Sequence, residues 1–237
     1  MVKIAGSKKL KRQMAPLFWG ITRKNKRFVT TVRPGPHEKD FSIPSAVLLR
    51  DMLKIVKNMR ETKFAIYGGK VIIDGIKRKS LHHGIGLMDV IELEGVKEIY
   101  RMVPKNGIIL KPIIIDQTEK TKKLVLVKSK NTIKNGKTQI GFHDGRSFID
   151  ETPVNLGDTC ILEIPKQKIL EVIKLEKGTK GLVMKGINAG KIGNIDEVKP
   201  GTFVLPRRVT ITFENRQIEI PSDLIMPVGK EKPAIQI

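Results

Sequence analysis

From about residue 97 onward the hydrophobic pattern breaks into short runs rich in branched side chains: EIYRMV, IILKPIII, KLVLVKS, KTQIGF, TCILEI, KILEVIKL, LVMKGI, GKIGNIDEV, RRVTITF and RQIEIP. Turn signals such as KNG, HDG, NLGD and FENR separate them. Short runs of this kind predict strands. Ten of them without a long helix predict β domains, two small barrels or half-barrels rather than one sandwich. A domain boundary is expected near Glu171–Lys177, before the glycine-rich segment.

Upstream the pattern is helical. Over residues 42–60, SIPSAVLLRDMLKIVKNMR, the residues Leu48, Leu49, Met52, Leu53, Ile55, Val56 and Met59 fall on one side of a helix, with Pro44 near its start. Arg50, Lys54 and Lys57 group on the opposite side. A shorter helix opens with Arg60 and Lys63 and stops at Gly68-Gly69. Strand KVIID, a turn at Asp74-Gly75 and a strand returning from Ile76 follow, with DVIELEG as a third strand. This unit presents Arg50, Lys54, Lys57, Arg60, Lys63, Lys70, Lys77, Arg78 and Lys79.

Residues 1–41 lack either pattern and read as a basic arm. Lys8, Lys9, Lys11 and Arg12 precede the only tryptophan, Trp19, and Arg23, Lys24, Lys26, Arg27 and Arg33 follow it, with His37 near the arm's end. Such a segment buries little apolar surface alone and is expected to order on an anionic partner, with Phe18 and Trp19 available to anchor or stack.

Charge turns this pattern into a partner class. The net charge is +21, of which residues 1–80 contribute +15 (20 Lys/Arg against 5 Asp/Glu). Compact folding gains nothing from such self-repulsion, so a polyanion is expected, nucleic acid before an anionic membrane. The apolar fraction of 40% suffices for real cores, and the aromatic fraction of 5% implies that Ile, Val and Leu fill them. The N-terminus has no signal-peptide core, and IILKPIII is too short to span a bilayer, so the chain reads as soluble and intracellular.

The search for chemistry is negative. One cysteine, Cys160, permits no internal disulfide and reads as a small core residue. GINAGKIG has three residues between Gly186 and Gly190, and Ile192 after Lys191, where a phosphate-binding loop needs four residues and a Ser or Thr. His82 and His83 are neighbours that a strand would point apart, with no carboxylate pair at ligand spacing. His143-Asp144-Gly145-Arg146 reads as a turn whose Asp satisfies backbone amides. No catalytic residue, cofactor or metal is expected.

LLRDMLKIVKNMRETKFAIYGGKVIIDGIKRK, followed by GIGLMDVIEL, resembles the two-helix RNA-binding module of several ribosomal, RNA-modifying and tRNA-charging proteins. Its features fall on Leu49, Arg50, Leu53, Arg60, Glu61, Gly69, Val71, Asp74 and Gly75. LVMKGINAGKIGNIDEV is similar to the KOW motif, with Gly186, Gly190 and Gly193 at its spaced positions and Asn188 and Lys191 in its loop. With the arm ending in GPHEK and the central KTQIGFHDGRSF, the ordered set resembles, end to end, the archaeal and eukaryotic e-type small-subunit ribosomal protein four family.

The resemblance implies a mostly β, α+β protein in five parts. These are a basic arm (1–41), a two-helix RNA-binding module with a short sheet (42–105), a central β domain (106–172), an SH3-like KOW barrel (173–228) and a tail (229–237). It implies a non-enzymatic constituent of the small ribosomal subunit in the cytoplasm, bound to 16S-type RNA and neighbouring proteins, with no membrane or small-molecule partner. The KOW barrel, closer to charge balance, is expected to pack rather than to grip. The alternative is an RNA-modifying enzyme of the pseudouridine synthase type using the same module.

Overall fold

The computed structural model describes residues 9–150, 152–213 and 216–237. At the start, β1 (Leu10–Lys11) pairs with β2 (Phe28–Val29). β3 (Ile43–Pro44) leads into α1 (Ser45–Val47), which widens into a π-helical stretch over Leu48–Met52, and α2 (Met59–Tyr67) follows. Next come β4 (Val71–Ile73), β5 (Ile76–Lys77), β6 (Gly84–Ile85), β7 (Val90–Leu93), β8 (Ile99–Lys105) and β9 (Ile108–Ile115). β6 pairs with β3, and the rest form an antiparallel sheet in the order β5-β4-β7-β8-β9.

A central antiparallel sheet contains β10 (Lys122–Thr132), β11 (Thr138–Phe142), β12 (Ser147–Ile149), β13 (Thr159–Glu163) and β14 (Lys168–Ile173), in the order β12-β11-β10-β13-β14. The C-terminal sheet contains β15 (Lys180–Val183), β16 (Ile192–Lys199), β17 (Arg208–Phe213), β18 (Arg216–Pro221) and β19 (Ile225–Gly229), in the order β18-β17-β16-β15-β19. The chain is therefore mostly β, and each of the ten expected runs falls on a strand. Among the described residues no helix is long and apolar enough to cross a membrane.

Local chemistry sets the module's shape. At α2 the Glu61 carboxylate turns back to accept the N–H groups of Lys57 and Asn58 at 2.8 and 3.3 Å, satisfying donors that a helix start leaves orphaned. Gly69, with φ +74, ends the helix. Asp74 and Gly75 have φ of +51 and +75, the left-handed pair that a two-residue hairpin turn requires.

The single helix expected over 42–60 is not formed. The Leu53 N–H bonds back five residues to the Leu48 carbonyl at 2.8 Å, and Lys54 then takes φ +55, which ends the helix. Leu53 and Val56 of the connecting segment and Met59 at the start of α2 still pack on the core, so the apolar period runs on through a break in the backbone. In consequence Arg50, Lys54 and Lys57 do not share one helix face.

Two further expectations change, and the tail gains a definite place. The arm is folded over its described part: Leu10, Ala15, Trp19, Val29 and Val32 join Ile43, Leu48, Leu49, Ile66 and Ile85 in one core, and the Trp19 Nε1–H donates to the Ser42 carbonyl at 3.0 Å. Partners from residues 43–85 supply the apolar surface that the arm lacks alone. The limit expected at residue 105 cuts the β8–β9 hairpin, because the first sheet continues to Ile115. The C-terminal tail is anchored: Ile235 is buried, and Gln236 accepts from buried Arg101 at 3.0 Å and donates to Glu119 at 2.9 Å.

All three sheets share a core. Met88 and Val103 come from the first part, Leu124, Leu126, Ile161 and Ile173 from the central sheet, and Leu182, Met184, Met226 and Val228 from the C-terminal part, with Ile235 from the tail. Burying these side chains together fixes how the sheets sit.

Candidate nucleic-acid interface

Exposure sorts the predicted cations into two sets. In the arm, Lys9, Lys11, Arg23, Lys24, Lys26, Arg27 and Arg33 are exposed, and Lys8 lies outside the described residues. Around the module, Lys54, Lys57, Arg60, Lys63, Lys70, Lys77 and Lys79 are exposed. Arg50 and Arg78 are half-buried, and the Arg50 guanidinium lies 2.6 Å from the Asp51 carboxylate, so part of its fork is already used.

Three predicted contact residues are built into the protein instead. Trp19 is fully buried and has no free ring face to stack on a base. Arg12 is buried and donates to the carbonyls of Lys26 and Thr22 at 3.0 and 3.1 Å, which ties down the arm's first turn. His37 places Nε2 2.9 Å from an Asp89 carboxylate oxygen, and both side chains are nearly buried.

The structure supplies aromatics that sequence reasoning missed. Phe64 and Tyr67 of α2 are 72% and 55% exposed, beside Lys63 and Lys70, and the Lys70 ammonium lies 5.3 Å from the Phe64 ring centre. Their spacing of three puts them on one helix face. An exposed aromatic face among cations can stack on an unpaired base while the cations meet the backbone. The available signal was position: Thr62 and Ile66 take the buried face of α2, leaving Phe64 and Tyr67 outside.

Beneath the hairpin lies a buried ion cluster. The Lys123 ammonium sits 2.6 Å from Asp74, 2.6 Å from Asp89 and 3.2 Å from Asp144. Arg146 reaches Asp74 at 2.7 Å and Asp144 at 3.4 Å. Burial alone would discharge Lys123, but the three carboxylates outweigh it and hold the ammonium above the ordinary lysine range. Burial likewise pushes Asp89 upward, and His37 and Lys123 overcome this to hold it below the usual carboxylate range. Asp144 does accept its own turn's Arg146 N–H at 3.2 Å, as the HDGR reading expects, but the same turn also joins the ion cluster.

His143 is neutral by construction. Its Nδ1 accepts the Leu126 N–H at 3.1 Å, and Nε2 lies 3.3 Å from the Leu87 carbonyl, which it meets as a donor. Burial pushes its pKa down to about 4.

The KOW-like loop is a close-packed joint. Gly190 has φ +87, and a Cβ there would come within 2.5 Å of the Lys105 Cα and 2.6 Å of the Pro104 carbonyl oxygen. The neighbouring Ala189 is fully buried and accepts the Gly107 N–H at 2.9 Å. A Cβ on Gly193 would collide with Ile211 and Thr212. Gly186 and Lys191 are exposed, and the Lys191 ammonium donates to Asn188 Oδ1 at 3.0 Å. Among the described residues no group of three His, Cys, Asp or Glu side chains is placed to hold a metal ion.

Comparison with known proteins gives the family. Residues 96–169 match the model of ribosomal family S4e, and residues 5–40 match the RS4NT domain. The small ribosomal subunit protein eS4 of Methanothermobacter thermautotrophicus is 34% identical over 240 aligned residues, covering 100% of this chain and 98% of its own length. That of Korarchaeum cryptofilum is 36% identical over 241, covering 100% of both. The crystal structure of the 30S ribosomal protein S4e from Thermoplasma acidophilum superposes with a TM-score of 0.68 at 29% identity, covering 81% of this chain and 97% of the other. These relatives bear the names of ribosomal proteins, not of enzymes. With such identity held along its whole length, the chain belongs to the S4e family of small-subunit ribosomal proteins.

Proposed function

We propose that the chain is a structural constituent of the small ribosomal subunit that binds 16S-type ribosomal RNA and supports subunit assembly and translation on cytoplasmic ribosomes. The observation that carries this is the full-length match to proteins named small ribosomal subunit protein eS4. Residues 42–105 act as a two-helix RNA-binding module, and the C-terminal sheet as an SH3-like barrel around the KOW-like loop.

The grip is a surface of exposed cations, Lys54, Lys57, Arg60, Lys63, Lys70, Lys77 and Lys79, together with Lys9, Lys11, Arg23, Lys24, Lys26, Arg27 and Arg33 of the folded arm. These meet phosphates by shape and spacing, because the major groove of duplex RNA is too narrow for side-chain reading. Phe64 and Tyr67 add stacking. The packing of Gly190 against Pro104 and Lys105 supports a joining role for the KOW-like loop, with neighbouring proteins and RNA on its outer side. The pseudouridine synthase reading rests on the module alone and receives no support from the relatives.

Sedimentation tests the proposal. The protein, added to cell extract at physiological salt, is expected to travel with small ribosomal subunits and to be released as salt rises. Sedimentation apart from the small subunit at every salt concentration would overturn it.

A further inference from the structure

The hairpin's three basic residues do not share one direction. Lys77 at the end of β5 and Lys79 just past it both pass over Gly69, where a Cβ would lie 3.8 and 3.5 Å from their stems. Arg78, between them, lines a cavity of about 510 Å³ beside the buried ion cluster, within the roughly 300–1,000 Å³ of small-ligand sites. Gly35 and Pro36 of the arm, His83, Arg146 and Gln167 line it too.

Two donors in this lining are unused within the protein. Arg146 spends Nη2 on Asp74 and faces Asp144 with Nε, but its Nη1 is buried without a hydrogen-bond partner. The Arg78 Nε is buried and unpartnered as well. A buried donor left unsatisfied costs free energy, and a guanidinium edge suits a phosphate oxygen better than any neutral acceptor. Lys123, by contrast, donates to Asp74 and Asp89 at 2.6 Å each, and the Asp144 Oδ2 3.2 Å from it is buried without a hydrogen-bond partner.

Charge narrows the ligand. Histidines aside, the lining sets Asp74, Asp89 and Asp144 against Lys123, Arg146 and Arg78, a formal balance. A balanced cavity favours a singly charged phosphodiester over a phosphate dianion, which would face three buried carboxylates. Its neighbours on the hairpin, Lys77 and Lys79, are exposed and able to lead a backbone toward it.

We infer that this cavity between the arm, the hairpin and the HDGR turn seats one phosphodiester of RNA, clasped by Arg78 and Arg146. The inference rests on the RNA-binding reading and specifies where one backbone phosphate enters the protein. It also gives Arg146 a ligand-facing role in addition to its part in the ion cluster.

Phosphate-ethylation interference on small-subunit ribosomal RNA tests it, comparing the wild type with the double variant Arg78→Gln, Arg146→Lys. The lysine keeps a cation against Asp74 and Asp144. Ethylation of one or two phosphates is expected to block the wild type and to have no effect on the variant. The variant's affinity should fall about tenfold, and its salt slope by about 0.7 to 0.9, the share of one phosphate.

An unchanged interference pattern and slope in the folded variant would overturn the cavity assignment while leaving RNA binding by the wild type intact. Loss of RNA binding by the wild type itself would instead sink the parent reading. If the double variant does not fold, Arg78→Gln alone carries the same readouts. A nuclear magnetic resonance titration of the wild-type arginine side chains with inorganic phosphate completes the test. Saturation below millimolar concentration would reassign the site to free phosphate and overturn the proposal; weak, non-saturating shifts support the diester.

Discussion

The exposed cations of the module and the buried cations beneath it are the same residue types in opposite roles. Lys54, Lys57, Lys77 and Lys79 stand in solvent, where a charge costs the fold little and remains available to a partner. Lys123 has almost no contact with solvent and is held by three carboxylates. Removing a solvated charge leaves the fold nearly as it was, whereas removing a buried one strands its partners. Net charge therefore identifies the class of partner, and burial decides which charges are free to meet it.

The largest expected effect lies on the buried side. Lys123→Met leaves Asp74, Asp89 and Asp144 facing one another and should cost about 3–5 kcal/mol of stability. Denaturant unfolding checks this. A loss no larger than that of a surface substitution would dissolve the distinction between the two regions.

Acid should act on the buried region next. The folded state keeps His143 neutral down to about pH 4, while the unfolded chain protonates near its ordinary 6.5. Between those values the unfolded state binds the extra proton. Stability is therefore full above pH 6.5 and declines as pH falls toward 4, by on the order of 3 kcal/mol. His83, also held low by burial, adds a decline of the same sign. His143→Gln should flatten much of the decline, and unfolding curves across this range would show whether it does.

Much of this architecture is legible in the sequence, for physical reasons. The β4–β5 hairpin is announced by Asp74-Gly75 because few residues tolerate two successive positive φ angles. The end of α2 is announced by Gly68-Gly69, and its start by Asn58 and Glu61, a capping pair that lies inside the apparent helical period. That period, carried through the break by Leu53, Val56 and Met59, conceals the left-handed Lys54.

What local pattern does not reveal is long-range partnership. Trp19 looks available in the sequence, yet its partner is the Ser42 carbonyl and the core beyond it. His37, Asp74, Asp89, Lys123, Asp144 and Arg146 are scattered over 110 positions and meet in one cluster, so each alone resembles a turn residue or a solvated charge. The tail past residue 229 is short and polar in part, and Arg101, Asp116 and Glu119, far upstream, explain its anchoring together with the core that takes Ile235.

The smallest expected effect on the fold coincides with the largest on function. Replacing Lys54, Lys57, Lys77 and Lys79 together with Glu should change unfolding by only about 0.5 kcal/mol per site or less, since each is exposed. The decisive measurement is the affinity of this variant and of the wild type for small-subunit ribosomal RNA as salt is varied. The account predicts steep salt dependence for the wild type and, for the variant, a loss of about a hundredfold or more in affinity while the melting temperature falls by less than about 8 °C. Wild-type affinity and slope in the folded variant would contradict it.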